Sequence, residues 1–221
     1  MRTVRVTGKG QIRVRPDMTR ITMTLEGRYR EYSETLSRSS QDTESVKDIL
    51  CGFGFERSDL KTLNFSVDAE YESYKDSDDT YRQRFVGYRF HHMMKVEFLS
   101  DNDRLGKLLY ALANGEVRPE FRISYTVKDP EAAKNTLLGQ AVADAKEKAA
   151  VLARAGGVTL REIQSIDYSW GEIDLEYRPM NGMVLAERCK AAPMAAKGYD
   201  LNIEPDDIEV SDTVTVVWEI G

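Results

Sequence analysis

Two adjacent histidines, His91 and His92, are the residues of this chain that most invite a chemical reading, followed by the cysteines Cys51 and Cys189. They sit in a stretch that alternates like a strand, where neighbouring side chains leave by opposite faces. One ion cannot be held by both. One core-facing and one surface histidine is therefore expected. The cysteines are far apart and show no CxxC spacing, which argues against a disulfide framework and a zinc knuckle. Cys51 stands on an apolar helix end without an evident basic partner to activate it as a nucleophile.

Other local patterns fall short of the chemistry they superficially suggest. Asp76-Ser77-Asp78-Asp79 lacks the central glycine and closing glutamate of a calcium loop, and reads as a solvated hairpin tip. Gly8-Lys9-Gly10 lacks both the third glycine of a dinucleotide fingerprint and the Gly-Lys-Ser/Thr ending of a phosphate loop. It lies between strand patterns and reads as a bulge or turn. No Gly-x-Ser-x-Gly elbow occurs, and carboxylates are too numerous for any pair to be diagnostic. No catalytic residue, cofactor site or metal site is assigned.

The richest feature is a charge split. Asp68, Glu70, Glu72, Asp76, Asp78 and Asp79 are followed by Arg82, Arg84, Arg89 and Lys95, interleaved with Tyr81, Phe85, Tyr88 and Phe90. Cross-strand ion pairing is the first explanation. A self-association edge, a ligand surface and a basic, aromatic RNA-binding arm over 82–95 are the alternatives. The candidate interaction surface is Arg82, Arg84, Arg89, His91 and Lys95, with Met180, Met183 and Met194 from the irregular stretch 171–207. Loops of that length commonly carry function.

The elements that must position these residues follow from periodicity. Val4 and Val6, Ile12 and Val14, and then Ile21, Met23 and Leu25 alternate as two strands broken near Pro16. A helix is expected over 31–53. A long hairpin follows, with arms over 60–74 and 81–99, the second placing Val86, Tyr88, Phe90, His92, Met94, Val96 and Phe98 on one face. Ser100-Asp101-Asn102-Asp103 opens a second helix, and Asp129-Pro130 opens a third with a proline at its first position. The third helix turns Leu138, Ala141, Val142, Ala145, Ala149 and Leu152 inward. Strands near 160–168 and 214–220 close the chain. The order ββαββαβαββ gives an α+β class: a largely antiparallel sheet with long hairpins and helices packed on one face.

Composition bounds the function classes. The 221 residues carry 31 Lys+Arg against 37 Asp+Glu, a net charge of −6, with 41% hydrophobic residues. That balance excludes a disordered or fibrous chain and argues against a general polyanion binder. No apolar run reaches the roughly 18 residues of a membrane span. The first residues alternate like a strand rather than a signal peptide, so the expected location is cytoplasmic.

The opening Val4-Arg5-Val6-Thr7-Gly8-Lys9-Gly10 with Arg15-Pro16-Asp17-Met18-Thr19 resembles the start of the SIMPL-domain family. Ser58 to Ser66, Val86-Gly87-Tyr88-Arg89-Phe90, Ala141 to Ala149, and Ile203 to Val210 with Val214-Thr215-Val216 match in order. Asp206-Asp207 departs from a Gly-Glu turn common there. The resemblance spans nearly the whole chain and implies a single unit over 1–221, with a subdivision near 100–116 as the alternative. It implies an α+β fold, no established reaction, and a stress-protective role of the kind described for some members. The expected function is therefore non-enzymatic, acting by self-association, as a homo-oligomer, or by protein binding. The alternative from another class is an enzyme or small-ligand binder with a site between the 60–99 hairpin and the 171–207 segment.

Overall fold

The computed structural model describes residues 2–168, 175–177 and 204–221. The described residues form three α-helices and eight strands in two antiparallel sheets. The α+β class holds, and the order departs from expectation by one extra strand, the two-residue Glu176–Tyr177. The chain divides into two compact units, Met1–Asp17 with Tyr125–Tyr177 and Pro205–Gly221, and Met18–Ser124 with a later stretch.

In the first unit, β1 (Arg2–Val14) pairs along its whole length with β8 (Ile208–Ile220), and β6 (Leu160–Asp167) flanks β8 on the other side. Helix α3 (Pro130–Ala155) begins as expected, with the Asp129 carboxylate accepting the Ala132 amide at 2.9 Å and Pro130 in the first turn. Its buried stripe is Leu137, Ala141, Ala145, Ala149 and Ala153, packed against Val6, Val214, Val216 and Trp218. Leu152, expected inward, is 52% exposed. Gly8 and Gly10 are not a turn: β1 runs through them without a register shift. They are small because α3 passes over them. A Cβ on Gly8 would lie 2.0 Å from the Ala141 carbonyl oxygen, and one on Gly10 would lie 2.2 Å from that of Leu137.

The same approach lets α3 occupy two amides on the outer edge of β1. The Lys9 amide donates to Asp144 Oδ2 at 2.6 Å and the Gln11 amide to Gln140 Oε1 at 3.3 Å, while Lys148 Nζ donates to Asp144 at 2.7 Å. Edge amides that would otherwise template another strand are thereby occupied. The Lys148 ammonium and the Lys9 amide hold the Asp144 carboxyl below its usual range.

In the second unit, β4 (Tyr81–Leu99) lies between β2 (Met18–Tyr29) and β3 (Lys61–Lys75). Helices α1 (Tyr32–Cys51) and α2 (Asn102–Asn114) contribute Val46, Leu50, Leu105 and Leu108 to the core formed with Ile21, Met23, Phe90 and Met94. Asp101 caps α2 by accepting the Arg104 amide at 2.9 Å, as expected. The Arg104 guanidinium lies 4.0 Å from the Phe55 ring centroid and donates to the Phe53 carbonyl at 2.8 Å, tying the end of α1 to α2. Strand β5 (Glu120–Thr126) starts in this unit beside β2, and its last two residues belong to the first unit, where they pair with Glu176 and Tyr177.

Two helix-contacting glycine positions should respond oppositely to alanine. Gly8→Ala forces a backbone shift and should cost about 3 kcal/mol or more. Gly139→Ala lies mid-helix with nothing within 4 Å of the new Cβ and should gain about 0.5–1 kcal/mol. Chemical denaturation of the two variants checks both signs.

Candidate functional site

The long hairpin of β3 and β4 is the candidate, and its geometry turns on one irregularity. Between a first shift at Thr62/Asn64 and this one the ladder is regular, with Asp68 opposite Arg89 and Glu70 opposite Gly87; above it Tyr71 faces Phe85, Glu72 faces Arg84 and Tyr74 faces Arg82. Val86 is an extra residue, a β-bulge. Gly87 has φ +149° there, and a Cβ on it would lie 2.4 Å from the Tyr29 carbonyl oxygen. Only glycine fits.

The bulge flips the alternation of β4. The expected core face, continued through Val86 to Arg84, would put Arg82 and Arg84 on the side of Tyr88 and Phe90. Instead they join Arg89, His91 and Lys95 on the opposite face. Each candidate has an acidic partner there. Arg82 meets Asp76 at 2.9 Å, Arg84 meets Glu72 at 2.9 Å, Arg89 meets Glu70 at 3.1 Å, His91 meets Glu26 at 2.8 Å and Lys95 meets Glu97 at 3.2 Å. Arg28 also approaches Glu70 at 3.6 Å. Arg20, with Lys95, holds the Glu97 carboxyl below its usual range against the opposing effect of burial. Exposed pairs of this kind are worth up to about 1 kcal/mol each, so the ladder neutralises the face more than it stabilises the fold. Met180, Met183 and Met194 lie outside the described residues.

The other face of the hairpin carries rings that the charge pattern obscured. Tyr32 of α1 contacts Tyr88 at 5.3 Å, Tyr88 contacts Phe85 at 5.2 Å, and Phe85 contacts Tyr71 at 5.7 Å, all edge to face. Tyr32 is 50% exposed, Phe85 43% and Tyr71 57%. Tyr81, 72% exposed, lies beyond them under Lys75. Tyr32 and Tyr71 were not among the residues singled out from the sequence. A lone glycine inside a strand pattern, Gly87, is the signal that could have revealed the bulge and so the ring face.

This division bears on the RNA-type arrangement, which needs bases stacked on rings beside basic groups. Here Arg82, Arg84 and Arg89 leave by the face opposite the Tyr71–Phe85–Tyr88 rings; the cation contacts on hairpin rings are Arg84 with Tyr74 at 5.8 Å and Lys75 with Tyr81 at 5.5 Å, both near the tip. The expected ligand site against 171–207 has its second wall outside the described residues. In the first unit, an open depression of about 410 Å³ is lined by Ile166, Asp167, Tyr168, Thr213 and Thr215. Among the described residues no group of three or more His, Cys, Asp or Glu side chains is placed to hold a metal ion, and no helix is long and apolar enough to cross a membrane. Cys51 is a free, exposed thiol.

The SIMPL family model, described as a protein of unknown function, matches residues 4–218. The 26 kDa periplasmic immunogenic proteins of Brucella melitensis biotype 1 and Brucella abortus strain S19 are each 24% identical over 217 residues, covering 98% of this chain and 84% of the relative. These names overturn the expectation of a cytoplasmic location. The alternation over Thr3–Thr7 that suggested it belongs to β1 and its pairing with β8, which is a property of the fold and carries no address.

The two histidines part as expected. His92 is buried, with Nδ1 3.0 Å from Thr43 Oγ1 and Nε2 3.0 Å from Thr62 Oγ1. Thr43 spends its single proton on the Ser39 carbonyl at 2.8 Å, so it accepts from Nδ1–H, and Thr62 donates to Nε2. A neutral ring is fully satisfied by this arrangement and joins α1 to β3 across β4. Burial, followed by the charges of Lys47 and His91, holds His92 below its ordinary value of 6.5. A base depressed in the folded state contributes fully above the unfolded value and loses that contribution as pH falls through the folded one. The melting temperature should therefore drop on acidification below about pH 6.5, above the carboxylate range, and drop less in His92→Gln.

Proposed function

Because the chain belongs to the SIMPL family, whose match runs from residue 4 to residue 218, we propose that it is a periplasmic protein that works by binding other protein surfaces through the β3–β4 hairpin, with no reaction of its own. The uncovered aromatic face of the hairpin carries this reading. Half-exposed rings in mutual contact are a costly surface for a protein to keep in water, and such patches mark sites of association. The polar groups that could have served a reaction on the hairpin are engaged in ion pairs, and the best-buried titratable one, His92, bridges two threonines inside the core. The periplasmic location rests on the names of the Brucella relatives.

A photo-crosslinking residue at Tyr81 should capture a protein of defined mass in the periplasm of the producing cell. The same residue at the exposed Glu147 of α3 is the control and should not. No adduct from Tyr81, or equal capture from both positions, would overturn the reading.

A further inference from the structure

We infer that the partner of this hairpin is a second copy of the same chain, the two laying their aromatic faces together about a two-fold axis. The inference rests on the reading that the hairpin is a binding surface, and four observations select this occupant.

The first is charge. On the ring face Ala69, Tyr71 and Ser73 of one arm and Gln83, Phe85 and Tyr88 of the other carry none, and the one cation at its tip, Lys75 over Tyr81, is paired with Asp79 at 2.7 Å. The opposite face has acids and bases, but they neutralise one another within the hairpin. An anionic partner gains nothing at the rings and would lose hydration there, and the chain's own Lys75 and Arg84 already sit over Tyr81 and Tyr74 as cations. An uncharged aromatic surface is the complement, and the chain itself supplies one.

The second is shape. Successive rings meet at interplanar angles of 82°, 69° and 68°, so the surface is ridged rather than a plane of ring faces. A flat base or sugar needs an open ring face. A similarly ridged surface can interdigitate with this one and extend the edge-to-face contacts.

The third is support. The last pair between β2 and β4 is Tyr29 with Tyr88, so beyond it the hairpin is a two-stranded ribbon. Such ribbons are marginal alone and gain from a packed face. The fourth is area. With rings of about 150–250 Å² each, the exposed parts of Tyr32, Tyr71, Tyr81 and Phe85 amount to about 450 Å² per copy, or about 900 Å² for a pair. That lies just under the roughly 1,000 Å² expected of a specific interface and fits a weak, reversible dimer. In a two-fold contact each copy offers the same patch, which a self-complementary, neutral ridge satisfies.

Sedimentation velocity of the full chain over a concentration series tests the pairing. The wild type should dimerise in the micromolar range. Phe85→Glu, which sets two like charges into a dry face, and Tyr71→Ser, which removes a ring without adding charge, should each weaken association at least about tenfold while keeping the wild-type circular dichroism. Arg84→Ala, on the opposite face, should leave it unchanged. A wild type that stays monomeric at about 100 µM, or ring variants that associate as tightly as the wild type, would overturn the inference. A monomer whose Tyr81 probe still captures a different protein removes this pairing and leaves the binding reading standing; a monomer whose probe captures nothing removes both.

Discussion

One extra residue in β4 decides what each face of the hairpin carries. With Val86 unpaired and Gly87 pressed beneath the Tyr29 carbonyl, the strand reverses its inside and outside at that point. The core side, which lower down holds Phe90, Met94 and Val96, continues outward as Tyr88, Phe85 and Tyr71 after the helices have stopped covering it. The solvent side gathers Arg82, Arg84 and Arg89 opposite their acids. A regular ladder would have mixed arginines with rings on both sides. Neither a neutral aromatic ridge nor a closed charge ladder would then exist.

The two units treat exposed sheet in different ways. In the first, the glycines of β1 let α3 come close enough for Asp144 and Gln140 to take the edge amides, and the stripe of alanines is what that distance permits. The middle of that edge is occupied by the chain's own side chains. In the second, the ribbon extends past β2 with its rings half in water, and no described residue covers Tyr71 or Tyr81 to the same degree. Among the described residues the middle of the β1 edge is covered and this face is not. That contrast is why the open face is read as a working surface rather than as unfinished packing.

Much of the fold was legible because it is written in local chemistry. Asp101 and Asp129-Pro130 announce their helices through caps that act within four residues, and period-two alternation marks β2 and the lower part of β4. What failed depended on distant neighbours. Gly8 and Gly10 read as a turn because nothing near them in sequence shows that α3 lies overhead. Leu152 read as core because helical period alone does not say where the sheet ends beneath the helix. The candidate basic residues do share one face, but through a bulge that alternation cannot reveal. They pair with acids, while strict alternation, which separates Tyr88 from Phe85, hid the exposed rings of the other face.

The register of the two arms in solution is the most direct test of this account. Cross-strand nuclear Overhauser contacts between β3 and β4 should place Glu70 opposite Gly87 and Tyr71 opposite Phe85, with Val86 unpaired. A ladder that runs on unbroken, with Tyr71 opposite Val86, would set Arg84 on the face of Tyr88 and contradict it.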